Sequence, residues 1–100
     1  MEEAIFFENR DNNATITIYN DGVVVSPSEI TKLEFVYFGG SVDSVSSPSL
    51  FVFGSSSILL LFGKLDIAPG IYSMKMIVYH QDYTSGIVWD SNITMRFGAA

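Results

Sequence analysis

The chain has 100 residues, no cysteine and a formal net charge of −6, from eleven acidic and five basic residues. The absence of cysteine excludes disulfides and thiolate zinc sites, and the negative charge disfavours binding to the phosphate backbone of nucleic acids. No apolar run approaches the roughly eighteen residues that would cross a bilayer, so we expect no membrane partner. We predict one domain, residues 1–100, without a cleaved leader, because residues 1–4 are acidic where a signal peptide would be basic.

The balance of apolar and charged residues is unusual. Apolar residues make up 48 % of the chain and charged residues only 16 %, against about 25 % charged residues in typical soluble domains. Two explanations stay open at this point. Either part of the surface is apolar and contacts other subunits, or a well-filled core is covered by Ser, Thr and Asn.

The first third of the chain shows strand and turn patterns. Residues 4–8 form a candidate first strand, and residues 14–19 alternate, with Ala14, Ile16 and Ile18 on the inward side. The sequence Asn-Asp-Gly at residues 20–22 predicts a tight hairpin into the valines that follow. Residues 26–29 are expected to form a single helical turn.

The middle of the chain contains three further strands. Residues 32–38 alternate and stop at Gly39-Gly40, and the serine-rich segment 41–57 contains the β-type run 50–53. A second run follows at residues 58–62. Both runs are apolar at successive positions, which is typical of strands that are covered on both faces or that use one face in a subunit contact.

A Pro-Gly turn before a long strand organises the rest of the chain. Pro69 and Gly70 precede Tyr72, an arrangement that predicts a tyrosine corner, with a buried ring whose hydroxyl bonds to main chain between Leu65 and Ala68. Gly70 is expected to adopt a positive φ. The strand that opens at Ile71 should then be the central one of its sheet.

The last part of the chain predicts a loop at residues 81–86 and a returning strand that is broken or bulged at Ser91-Asn92. Strands recur every 8–12 residues, and no segment of helical length has a 3.6-residue period. The sequence therefore predicts an all-β fold, an antiparallel two-sheet β-sandwich of the immunoglobulin-like type with seven to nine strands.

The search for catalytic and metal-binding patterns gives no candidate. His80 is the only histidine, and nothing in the sequence places a nucleophile and an acid beside it. Asp82 and Asp90 flank one loop, but nothing places them across a cleft. The segment at Asp11 lacks the spaced carboxylates of a calcium loop. We expect no enzymatic activity, no metal and no cofactor.

An aromatic hairpin is the one patch with binding character. Tyr79, His80, Tyr83 and Trp89 lie on its two arms or its tip, and aromatic faces stack on sugar rings or anchor protein partners. The alternative is that Trp89 fills the core and Tyr83 lies against the loop.

Several stretches resemble a known group of proteins. Residues 16–22 (Ile-Thr-Ile-Tyr-Asn-Asp-Gly), 30–35, 67–72 (Ile-Ala-Pro-Gly-Ile-Tyr), 77–79 and 86–89 (Gly-Ile-Val-Trp) occur in an order similar to that of small immunoglobulin-like modules in phage and prophage tail and baseplate proteins. The resemblance spans residues 14–97 and rests on turn and core motifs. It implies a structural component of a virion, assembled in the host cytoplasm, with no catalytic residues to carry over.

The sequence and this resemblance together predict a structural or interaction module that forms a homo-oligomer and contacts other virion proteins. A carbohydrate-binding or adhesive module that uses the aromatic hairpin, with a glycan as its partner, is the alternative. A two-layer sandwich has one inner face per sheet, so we expect the outward side chains of the apolar runs to form an interface. The candidates are Phe38, Phe51, Phe53, Leu59, Leu61 and Phe62.

Overall fold

A computed structural model describes residues 4–7 and 10–99. These residues form ten strands and no α-helix, which confirms the all-β class. The strands are β1 (Ala4–Phe7), β2 (Ala14–Ile16), β3 (Tyr19–Asn20), β4 (Val23–Val24), β5 (Ile30–Tyr37), β6 (Gly40–Asp43), β7 (Phe51–Phe53), β8 (Ile58–Leu60), β9 (Gly70–His80) and β10 (Tyr83–Gly98). Single 3₁₀ turns lie at Pro27–Glu29, Pro48–Leu50 and Phe62–Lys64.

The strands belong to one large sheet, one small sheet and one hairpin. The large sheet has the order β1-β10-β9-β5-β6, and the small sheet has the order β2-β8-β7. β9 is the middle strand of the large sheet, as predicted. The sheet is mixed rather than purely antiparallel, because β1 pairs with the end of β10 in the parallel direction. The residues described thus form ten strands, above the predicted range of seven to nine.

The hairpin β3–β4 confirms the Asn-Asp-Gly prediction. Tyr19 pairs with Val24 and Asn20 with Val23, so the loop has two residues, Asp21 and Gly22. Both have positive φ, 52° and 79°, which is the geometry of a type I′ turn. The predicted strand over residues 14–19 is interrupted between β2 and β3, although its alternation holds, with Ile16 and Ile18 buried and their neighbours exposed.

One hydrophobic core joins the inner faces of the two sheets. On β9 the residues Met74, Met76 and Val78 are buried, while Ile71, Ser73 and Lys75 point to the opposite, outer face. Phe35 from the large sheet meets Phe62 edge-on at 5.4 Å, and Phe51 from the small sheet meets Phe62 at 5.4 Å as well. Aromatic pairs at such distances add about 0.5–1.5 kcal/mol beyond the area that they bury.

The β9–β10 hairpin has a two-residue turn rather than the predicted loop at residues 81–86. His80 pairs with Tyr83, and residues 83–86 belong to β10. The register of β10 against β9 then shifts three times, between Tyr83 and Ile87, between Val88 and Asp90, and between Asp90 and Ile93. The last shift contains the predicted bulge at Ser91-Asn92. Shifts of this kind bend a strand and increase its twist.

Candidate functional site

The Pro-Gly turn leads into β9 with the geometry of a tyrosine corner. The Tyr72 hydroxyl donates a 2.7 Å hydrogen bond to the main-chain oxygen of Ala68, within the segment that the sequence predicts. Gly70 has a φ of 154°, which is positive but far from the left-handed helical value near 57° that Asn also adopts. The corner is therefore a structural feature of the fold and no part of a binding site.

The ring of Tyr72 is half-buried and not largely buried as the sequence predicts. It meets Tyr37 edge-on at 5.7 Å and Phe97 edge-on at 5.6 Å. Tyr72 is the third residue of β9, at one end of the sheet, where its side chain remains partly exposed. Burial raises the pKa of Tyr37 above its usual value, with smaller contributions from the neighbouring Tyr72 and Asp66.

At the other end of the same strands, the inner face opens into a cavity of about 420 Å³. One side of the cavity is formed by residues of three neighbouring strands of the large sheet, β5, β9 and β10. His80 pairs with Ile30 of β5 and with Tyr83 of β10, and Val78 pairs with Ile87 of β10. Ile30 and Val78 are buried and form an apolar floor. Trp89 lies at the second register shift of β10 and closes one side.

The opposite side of this cavity comes from a different part of the chain. Asn20 of the β3–β4 hairpin, Val25 and Glu29 of the first 3₁₀ turn complete the lining. A 2.7 Å hydrogen bond from the Val25 N–H to the Ile18 oxygen holds the hairpin in register. The volume falls within the range of about 300–1,000 Å³ of small-molecule pockets. We call this cavity the hairpin pocket.

His80 at the pocket has a defined hydrogen-bonding arrangement. Its Nδ1 accepts a 3.1 Å hydrogen bond from the main-chain N–H of Asp82, so the neutral ring carries its proton on Nε2. The Asp82 carboxylate lies 3.7 Å from the same Nδ1. The rings of His80 and Tyr83 are 6.0 Å apart and tilted by 51°.

Three of the four aromatic residues proposed from the sequence meet at the hairpin pocket, and Tyr79 does not. Side chains alternate along a strand, so Tyr79 projects to the outer face when His80 projects inward. Its hydroxyl donates a 2.8 Å hydrogen bond to Glu34 Oε1, and Lys32 Nζ lies 4.5 Å from the ring centroid. This hydrogen bond is the main cause that raises the pKa of Tyr79, followed by burial.

Two of the six candidate interface residues belong to the core. Phe51 is 6 % exposed and Phe62 is fully buried, because both project between the sheets towards Phe35. Neither side chain is available to another subunit. These two residues therefore lie on the inner side of the apolar runs and not on the side expected to form an interface.

The other four candidate residues reach the surface to different degrees. Phe38 is 98 % exposed at the turn between β5 and β6, and Phe53 is partly exposed at the end of β7. Leu59 and Leu61 are half-buried. On the outer side of the small sheet, Leu59 pairs with the exposed Val52. The four residues therefore lie at different places: Phe38 is at a turn, Phe53 pairs with the buried Ile58, and Leu59 is on the outer side of the small sheet. Leu61 follows the end of β8.

A second apolar surface lies on the outer face of the large sheet and was not identified from the sequence. Ile5 of β1 pairs with Arg96 of β10, and Arg96 pairs with Ile71 of β9. Phe7 lies over Gly98 on the same side. Ile5, Phe7 and Ile71 are all exposed, and with Arg96 they form what we call the outer patch. Ile71, an isoleucine that precedes Ser73 and Lys75 on the same face of β9, was the signal available in the sequence.

The outer face also concentrates basic residues. The strand register places three basic residues on this face, Lys32, Lys75 and Arg96. It places two acidic residues there, Glu34 and Asp43. Among the described residues, this face thus carries three basic and two acidic side chains. The other described residues include six acidic and two basic ones, so the acidic excess of the described chain lies outside this face.

Neither a metal cluster nor a membrane-spanning helix occurs in the part of the chain that the structure describes. No group of three or more His, Cys, Asp or Glu side chains is placed to hold an ion there. None of its helical segments is long and apolar enough to cross a bilayer. Comparison with known proteins finds no match to a family model, to a curated protein or to a solved structure.

Proposed function

We propose that this chain is a non-catalytic structural module that assembles with copies of itself. The observation that carries the proposal is the outer patch, where large apolar side chains of β1 and β9 are exposed on either side of Arg96 of β10, on a regular sheet face. Contiguous apolar surface of this kind marks interaction sites in soluble proteins. The exposed Phe38 adds a second apolar contact at a sheet corner.

The charge distribution favours a head-to-tail contact between copies. A surface that is apolar and basic fits an acidic surface better than it fits itself, because like charges repel across a two-fold interface. The acidic excess of the described residues lies outside the outer face. A contact between two different surfaces produces a ring or a filament rather than a closed dimer. Such assemblies suit a component of a larger particle.

We also propose that the two sheets form an immunoglobulin-like sandwich, and the strand order supports this fold. In variable-type immunoglobulin domains one sheet contains the strands G, F, C and C′ and the other contains B, E and D. The orders β10-β9-β5-β6 and β2-β8-β7 have the same succession along the chain. A tyrosine at the start of strand F is a further property of that fold, and Tyr72 occupies the equivalent position in β9.

The setting that we propose is a phage particle, as a tail or baseplate accessory protein that also contacts other virion proteins. The resemblance of residues 14–97 to phage tail modules supports this setting. Portal, sheath or fibre genes beside the gene for this chain would strengthen it. Neighbouring genes without any particle component would count against it.

Self-assembly is tested by multi-angle light scattering over a dilution series down to low micromolar concentration. We expect a multiple of the 11.0 kDa chain mass, and we expect Ile71→Asp to return the protein to a monomer. Val23→Asp is the matched control, because Val23 is 69 % exposed and Ile71 is 63 % exposed, but Val23 lies on the β3–β4 hairpin. Circular dichroism checks that both variants remain folded.

Two results would overturn the proposal. One is a monomeric mass at every concentration, since the outer patch would then have no partner copy. The other is an oligomer that Val23→Asp dissociates and Ile71→Asp does not. Arg96→Glu should weaken the assembly as well if its partner surface is acidic.

A further inference from the structure

We propose that the hairpin pocket binds a neutral sugar. The proposal uses a different part of the molecule from the outer patch and does not depend on self-assembly. It rests on the combination of aromatic walls, an apolar floor and polar side chains that the cavity brings together from four strands and a 3₁₀ turn.

The apolar part of the pocket fits one face of a pyranose ring. The C–H groups of a sugar ring are apolar on one face and pack on aromatic rings, which carry a negative electrostatic potential on their faces. Trp89 is half-buried against the core and so is held in place, while Tyr83 is exposed at the rim. Ile30 and Val78 give the floor an apolar surface against which C–H groups can pack.

The polar part of the pocket fits hydroxyl groups. Asn20 supplies both donors and an acceptor, Glu29 supplies acceptors, and the Nε2–H of neutral His80 supplies a donor. Among the residues that the structure describes, the side chains of Asn20 and Glu29 take part in none of the hydrogen bonds within the chain. They are free to bond a ligand. A hydrocarbon ligand could not form hydrogen bonds with the side chains of Asn20, Glu29 and His80.

Charge narrows the class of sugar. The Glu29 carboxylate at the pocket and the net charge of −6 disfavour acidic sugars and phosphorylated ligands. A quaternary ammonium ion would suit the aromatic rings and Glu29, but it could not use the N–H donors of Asn20 and His80. A neutral sugar uses both kinds of polar group.

The test follows the emission of Trp89, the only tryptophan of the chain, during titration with neutral sugars. The panel is methyl α-glucoside, methyl β-galactoside, N-acetylglucosamine, maltose and cellobiose, with choline as the cationic probe. We expect a saturable change with at least one sugar and none with choline. Glu29→Gln should retain sugar binding, because an amide can also bond to hydroxyl groups.

A matched pair of tyrosine variants tests whether the pocket is the site. Tyr83 and Tyr19 are both 56 % exposed. Tyr19 lines a second depression, which shares Trp89 with the hairpin pocket, and does not line the hairpin pocket itself. Tyr83→Ala should weaken sugar binding about tenfold, whereas Tyr19→Ala should leave the affinity unchanged. Circular dichroism of the two variants checks that the fold is retained.

Three outcomes would overturn the inference. The first is the absence of a saturable response to any sugar of the panel. The second is binding of choline alone, lost in Glu29→Gln, which would assign the pocket to cations. The third is a sugar affinity that Tyr83→Ala and Tyr19→Ala change equally.

Discussion

The two ends of the β9–β10 hairpin contain similar aromatic residues, but these residues pack differently at each end. At the end that contains the tyrosine corner, Phe97 stacks on Phe6 at 5.4 Å and meets Tyr72 at 5.6 Å, and the hydroxyl of Tyr72 is bonded to Ala68. At the other end, Tyr83 and Trp89 surround a cavity of about 420 Å³. Aromatic composition alone therefore does not separate a core from a binding site.

The difference follows from strand register. From Ile93 to Phe97, β10 pairs with Gly70–Met74 of β9 without a shift, so inward side chains meet at regular spacing and fill the space between them. Between Tyr83 and Ile93 the register shifts three times. Each shift changes the direction of the strand and of its side chains, which leaves the rings of this end apart.

The largest expected difference between the two ends is the loss of stability when one side chain is removed from each. Phe97→Ala should lower the free energy of unfolding by about 3–5 kcal/mol, because it leaves a cavity in a packed aromatic cluster. Ile87 lines an existing cavity and is partly exposed. Ile87→Ala should therefore lower the free energy of unfolding by less than about 1 kcal/mol. Urea denaturation measures both. Equal losses would show that the pocket end is as tightly packed as the corner end.

A smaller effect is expected for the hydroxyl groups of the two ends. Tyr72→Phe removes the hydrogen bond to Ala68 and should lower stability by about 0.5 kcal/mol, at the lower end of the usual range because the bond is exposed. The Tyr83 hydroxyl takes part in none of the hydrogen bonds among the described residues, so Tyr83→Phe should be neutral. An unchanged urea midpoint for Tyr72→Phe would remove the energetic basis of the corner.

The smallest effect concerns alkaline pH. The pKa of Tyr37 beside the corner is raised, mainly by burial, so the folded state retains this proton at a pH where the unfolded chain, with a pKa of about 10, releases it. This contribution to stability is fully present below about pH 10 and is lost as the pH rises through the raised pKa.

The difference in unfolding free energy between the natural protein and Tyr37→Phe should therefore shift in favour of the variant above about pH 10. Tyr79→Phe should show the same direction of change, since the pKa of Tyr79 is raised by its hydrogen bond to Glu34. A difference that stays constant with pH for Tyr37→Phe would contradict the effect of burial at the corner.

The sequence by itself determined those features that depend on neighbouring residues. The Asn-Asp-Gly hairpin, the alternation of Ile16 and Ile18 and the Tyr72–Ala68 bond all follow from turn chemistry and the two-residue period of strands. These preferences act over a few residues, so they can be read without knowing the fold. The all-β class follows from the same local signals.

Only the tertiary structure decided which of the candidate side chains come together. Three features depend on register and on the pairing of distant strands. They are which of Tyr79 and His80 faces inward, the burial of Phe51 and Phe62, and the approach of Asn20 and Glu29 to Tyr83. A single-residue shift moves every following side chain to the other face, and no local pattern of residues 83–93 specifies where the shifts occur. For that reason the pocket could not be predicted from the sequence. The outer patch depends instead on the parallel pairing of β1 with β10, which joins the two ends of the chain.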